Sequence, residues 1–180
     1  MESFFYIIKK MIFFKIFFLV SFLFNQESLN TELLYQFDFE DGVNDIWGYE
    51  TNDNREFAII GTDSGTSIIE ILDDQVIERS FIQGGNSIWR DIKSYGEFIY
   101  IGTENNNGGV QIVSMQDPDN PVLVNTFTRV GNSHNLMIDN EYLYIMGASD
   151  VGYLVIVSLE DPQNPQQISI WNEEYLHDVC

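Results

Sequence analysis

Gln116-Asp117-Pro118-Asp119-Asn120-Pro121 and Glu160-Asp161-Pro162-Gln163-Asn164-Pro165 share the pattern Asp-Pro-x-Asn-Pro at a separation of 44 residues. Proline fixes its own φ, and Asp or Asn beside it bonds back to the nearby backbone, so each segment reads as a tight turn. Immediately upstream of each lies an apolar, β-branched run: Gly109-Val110-Gln111-Ile112-Val113-Ser114-Met115 and Gly152-Tyr153-Leu154-Val155-Ile156-Val157-Ser158-Leu159. Gly65-Thr66-Ser67-Ile68-Ile69-Glu70-Ile71 is an earlier copy, followed by the shortened turn Asp73-Asp74-Gln75.

Further upstream comes a second strand-like run ending in glycine: Phe57 to Gly61, Phe98 to Gly102 and Tyr142 to Gly147. A short triplet precedes each of these runs: Asn44-Asp45-Ile46, Arg90-Asp91-Ile92 and His134-Asn135-Leu136. His177-Asp178-Val179 opens a further copy. Val76 to Ile82, Val122 to Phe127 and Gln166 to Trp171 supply a strand after each turn. Four short strands recurring every 43 to 46 residues is the period of a β-propeller blade. The expected fold is therefore all-β, a propeller-like array of four-stranded antiparallel blades. A β-sandwich is the alternative, but nothing in a sandwich requires one motif to recur in register. The repeats run at about 44–83, 90–127 and 134–171, with a partial unit at 177–180. Three blades and a stub do not close a ring, so the chain reads as truncated, with missing blades or self-association expected. Within residues 27–43, the segment 33–39 (Leu33 to Phe39) has the spacing of a closing outer strand with no blade of its own.

Residues 1–26 read as an address. Lys9, Lys10 and Lys15 precede the apolar stretch Ile16 to Phe24, and Asn25 and Gln26 follow. This is the order of a signal peptide, and Met11 to Gln26 alone would serve as one. The rival is an uncleaved anchor over residues 4–24, the chain's one membrane contact, which would place three lysines in the bilayer at high cost. Either way the remainder is exported, to the extracellular space or the cell surface. Of 180 residues, 28 are acidic and 8 basic; removing residues 1–26 leaves 27 and 5, a net charge of −22. So few cations exclude a nucleic-acid binder, which needs a basic face. The single Cys, Cys180, excludes an intrachain disulfide and any cysteine-based zinc site.

The runs Tyr153 to Val157 and Val110 to Val113, each leading into Asp-Pro-x-Asn-Pro, resemble LVIVD repeats. Asn44 to Tyr49, Ser87 to Lys93, Ser133 to Leu136 and Leu176 to Val179 resemble the opening segments of the choice-of-anchor B family. The motifs span residues 44 to 179. The resemblance implies a bacterial exported protein with a signal peptide, a propeller-like repeat domain and a C-terminal anchoring segment, with no catalytic activity to carry over. The chain departs from that pattern in lacking later blades and a C-terminal anchor.

The recurring polar positions are the candidate ligand site. If the triplets begin the inner strands, Asp45, Arg90, Asp91, His134, Asn135, His177 and Asp178 ring one mouth of a central channel. The competing reading is structural: each Asp or Asn bonds its own turn or the backbone of the next blade. Occurrence in every repeat favours that second reading. His134 and His177 occupy equivalent places, and a zinc shared with Asp91 or Asp178 is the alternative reading, but two histidines with no firm third ligand do not define a zinc site, so no metal or cofactor is expected. A Ser133–His134–Asp91 triad exists on paper without a nucleophile elbow around it. Trp47, Trp89 and Trp171 read as core between blades rather than sugar platforms. The functional expectation is a non-enzymatic exported repeat protein whose loops bind a protein or a glycan. A hydrolase or metal-dependent enzyme using the channel mouth is the alternative.

Overall fold

The structure is a computed structural model that describes residues 32–148 and 152–178. The signal peptide or anchor expected over residues 1–26, the alternative start at Met11, and Val179 and Cys180 lie outside the described residues. The chain divides into two units, Met1–Gln36 and Phe37–Cys180. In the first, residues 32–36 carry no regular structure. The second holds twelve strands and, among the described residues, no helix.

These strands form three antiparallel sheets, each a simple meander of four. The first contains β1 (Val43–Glu50), β2 (Glu56–Thr62), β3 (Gly65–Ile71) and β4 (Val76–Gln83). The second contains β5 (Arg90–Tyr95), β6 (Phe98–Thr103), β7 (Val110–Ser114) and β8 (Val122–Phe127). The third contains β9 (Asn135–Asp139), β10 (Tyr142–Met146), β11 (Leu154–Ser158) and β12 (Gln166–Trp171). The four-strand repeat expected from the sequence is thus present three times, an arrangement compatible with propeller-like blades. β1 lies beside β5, and β5 beside β9, so the first strands of successive sheets are neighbours.

Each sheet carries a one-residue irregularity at the same place. The register between third and fourth strands shifts at Ile68/Ile69, Ile112/Val113 and Ile156/Val157. A bulge bends and twists its strand locally. It recurs every 44 residues, at the same place in each sheet.

Packing explains the differences in pattern between sheets. One core lies between the first and second sheets, built on Phe57, Ile59, Ile68, Ile92, Ile99, Ile101 and Val113. A second lies between the second and third, built on Tyr100, Ile112, Leu136, Leu143, Ile145, Val155 and Val157. The middle sheet is covered on both faces, so all six residues of β6 are buried and its sequence carries no charged residue from Phe98 to Thr103. By contrast β12, an edge strand of the third sheet, leaves Ile168 and Ile170 exposed.

The turns grip neighbouring sheets. Tyr100 Oη donates to Pro162 O at 2.7 Å, and Asn125 Nδ2 donates to Gln163 O at 2.8 Å. The Asp161-Pro turn of the third sheet is thereby fastened to the second. Likewise Asp119, in the second sheet's turn, accepts from Arg55 Nη2 at 2.7 Å on the first. Glycines make close approach possible. A Cβ on Gly102 would lie 2.5 Å from Ser133 Oγ, and one on Gly147, whose φ is +69°, would lie 2.6 Å from His134 Cβ. The glycine ending the second strand therefore leaves room for the segment that opens the next repeat.

One expected element is missing. Residues 33–39 form no strand. An outer strand needs a third strand to ladder with, and each of the three sheets already has its own fourth strand in that place. Phe37 and Phe39 instead pack on each other, ring centroids 4.9 Å apart.

Candidate functional site

The recurring triplets lie at the adjoining first strands. Asp45 Oδ2 accepts from the backbone N–H of Ile92 at 2.9 Å, and Asp91 Oδ2 accepts from the N–H of Leu136. In both pairs the carboxylate on one first strand satisfies an amide on the first strand of the next sheet. Asp91 Oδ1 also pairs with Lys93 Nζ at 2.5 Å. Burial, with the nearby Asp91 charge contributing, pushes the Asp45 carboxyl above the usual range. These residues serve as ties between sheets, as the structural reading of the motif expects. Asp91→Ala strands the Leu136 amide and frees Lys93, and should cost about 2 kcal/mol in a urea titration. Asp91→Asn, which keeps an acceptor, should recover part of that loss.

Arg90, expected as a mouth-lining group, turns inward instead. It is 2% exposed and donates from Nε to Thr62 O at 2.7 Å and from Nη2 to Gly85 O at 2.7 Å and Asp63 O at 3.2 Å. Burial pulls its guanidinium below the ordinary value, partly opposed by Asp41 and Asp63. Its planar fork collects carbonyls from the β2–β3 turn and the loop before β5, a task suited to arginine geometry.

The histidine position behaves differently. His134, just before β9, stacks on Trp89 with ring centroids 4.6 Å apart and planes 8° apart. Trp89 Nε1 donates to His134 O at 2.6 Å. Glu104 Oε1 lies 2.6 Å from His134 Nδ1. A carboxylate is an acceptor, so this contact places a proton on Nδ1. That Nε2 is buried with no partner. The His177 ring lies 3.9 Å from the His134 ring, and His177 Nδ1 is 2.7 Å from Asp178 Oδ2. One potential ligating atom from each of His134, His177 and Asp178 falls within 4.8 Å of the others.

The structure therefore brings His134, His177 and Asp178 together and assigns Asp45, Arg90 and Asp91 to internal bonding. Asn135, in the place of Asp45 and Asp91, is half-buried at the start of β9. Ser133 is buried; its Oγ accepts from Thr103 N at 3.2 Å. Since His134 Nδ1 faces Glu104 and its Nε2 has no partner, Ser133, His134 and Asp91 do not form a relay.

Sequence reasoning missed Glu104, whose only signal is its place one residue after β6, level with the opening of the next repeat. It also misplaced Trp89, which is 39% exposed rather than part of a core. Trp47 is half-buried against the first core and donates from Nε1 to Ser94 Oγ at 2.9 Å; Trp171 is half-buried on β12. No protein-family model and no curated protein matches the chain.

Proposed function

We propose that this chain is the repeat domain of an exported, non-enzymatic binding protein, its three sheets being consecutive blades of a β-propeller. Ordered contact between β1, β5 and β9 supports the propeller reading, as do the repeated bulge and the Asp ties between first strands. The resemblance to LVIVD repeats and to the choice-of-anchor B family, carried by residues 44 to 179, supports export and display at the cell surface. The charged-then-apolar order of residues 1–26 supports it independently.

One observation carries the binding reading. The loop before β5 holds Ile88 and Trp89 out in solvent, 80% and 39% exposed, while Arg90 next to them turns inside. Trp89 is held rigidly by the His134 ring on one face and by the bond to His134 O. A fixed aromatic edge with an apolar neighbour is a surface on which a sugar ring or a peptide side chain packs at little entropic cost. The test is binding of soluble oligosaccharides and of an immobilised peptide library, read by calorimetry and tryptophan fluorescence. Trp89→Ala should weaken binding at least about tenfold. Wild-type affinity in Trp89→Ala, or release of a cleaved product from the bound ligand, would overturn the proposal.

A further inference from the structure

We propose that His134, His177 and Asp178 form a site for one divalent transition metal ion of the zinc class. The repeat itself creates the pairing. His134 and His177 hold the same place in successive units, 43 residues apart, and first strands of successive sheets are neighbours. Two imidazoles 3.9 Å apart are thereby set side by side, where no regular feature of the fold requires histidine. The other units have Asn44 and Arg90 in this place.

Two independent features point to a ligand. The first is the unpartnered Nε2 of His134, on a residue only 9% exposed. A buried polar atom without a partner costs about 1–3 kcal/mol, so its retention calls for an occupant. The second is Glu104. A carboxylate on the far nitrogen fixes the tautomer and orients the ring, the arrangement that supports metal-bound histidine. Stacking on Trp89 removes the remaining freedom of the ring. Asp178 supplies an anionic oxygen, completing a donor set of two nitrogens and one oxygen within 4.8 Å. Imidazole and carboxylate together suit zinc and its first-row neighbours rather than calcium or magnesium, which take oxygen donors. Three protein ligands leave a position open to water or to a group on a bound molecule. His177 and Asp178 lie in an exposed segment without regular structure, so the ion would also clamp residues 172–178 against the start of β9.

The full chain, stripped with a chelator, would be titrated with zinc by calorimetry and with cobalt by visible absorption. One equivalent should bind in competition with a chelator of micromolar affinity. Cobalt should give intense d–d bands of low coordination number and quench Trp89. His177→Ala and Asp178→Asn alter exposed side chains and leave the cores intact; each should weaken zinc at least about tenfold. Glu104→Gln should weaken it about 10–100-fold while the cobalt bands persist but shift, the signature of a positioning residue. Calcium should bind no differently to wild type and His177→Ala. No stoichiometric zinc binding, or zinc binding unchanged by His177→Ala and Asp178→Asn, would overturn the site and leave only diffuse attraction to an acidic chain. The titration uses no glycan or peptide, so its failure leaves the role proposed for Trp89 standing, and failure of that role leaves this site standing.

Discussion

Arg90→Ala is expected to lower the unfolding free energy by about 4 kcal/mol. The side chain is almost wholly buried, and its Nε and Nη2 satisfy three backbone carbonyls: Thr62, Asp63 and Gly85. Truncation leaves a cavity of arginine size and carbonyls that water does not reach freely. Two consequences separate this from a generic core loss. Arg90→Lys keeps the charge but not the fork, and should recover only about half of the loss. Exchange of the Gly84 amide, which donates to Ser64 O at 2.9 Å, should accelerate, because the β2–β3 turn and the loop before β5 lose their common anchor. A loss below about 1 kcal/mol in a denaturant titration would show that solvent replaces the guanidinium and that the burial argument fails.

Glu70→Ala should cost about 2–3 kcal/mol, and the acid limb of the stability profile should change with it. Glu70 sits on β3 with its carboxylate buried, held by Arg55 Nε at 2.6 Å and Arg79 Nε at 2.6 Å. The lower part of the range for breaking a buried pair applies, because both arginines are about a quarter exposed and keep Asp119 as a second partner. The Arg55 hydrogen bond, reinforced by Arg79 and opposed by burial, holds the Glu70 carboxyl below the usual range. A depressed carboxyl contributes stability that is complete above its unfolded value and is lost as pH falls through the folded one. Wild type should therefore weaken progressively from about pH 5 downward. Asp41 and Asp119, also depressed, add to that slope in the same direction. Asp45 opposes it: its carboxyl is raised, so the folded state takes up that proton first and gains relative stability as pH falls through the raised value. Glu70→Gln should be less stable near neutrality and show a shallower acid limb. An unchanged limb in that variant would mean that other carboxylates set the acid transition.

Much of the architecture was legible because the repeat states it several times over. Each strand was marked by a local signal, such as the glycine after β6 or the Asp-Pro turn after β7, and the signals agreed in order and spacing. The ties were legible in kind: Asp45 and Asp91 recur because every junction between first strands needs the same amide satisfied. What escaped the sequence was direction. Nothing in Arg90-Asp91-Ile92 says that the guanidinium turns inward while the equivalent imidazole of His134 stays beside Trp89. That depends on which neighbour offers carbonyls and which offers a carboxylate, and Glu104 lies 30 residues from His134. Glu70, set among isoleucines on β3, drew no attention in the sequence; its partners Arg55 and Arg79 come from opposite sides of it in the chain. The strand expected at 33–39 failed for another reason. Alternation and spacing describe a strand's own preference, whereas a strand exists only where an edge is open to receive it.

The disposition of cations has a consequence for the molecule's behaviour as an ion. Of the five basic side chains after residue 26, Arg55, Arg79, Arg90 and Lys93 are engaged by Glu70, Asp119, Asp91 and backbone carbonyls. Of these five, Arg129 alone remains outside the ties, so the exterior of the second unit is close to a polyanion. Such a particle carries a counterion atmosphere, and moderate salt relieves its self-repulsion by shortening the Debye length to about 10 Å at 0.1 M. Added salt should thus strengthen rather than weaken the fold, since the pairs it would screen are partly sheltered and the repulsion it screens is not. The same atmosphere concentrates divalent cations near the surface and keeps like-charged polymers at a distance, giving the protein a selectivity in the company it keeps before any specific contact is made.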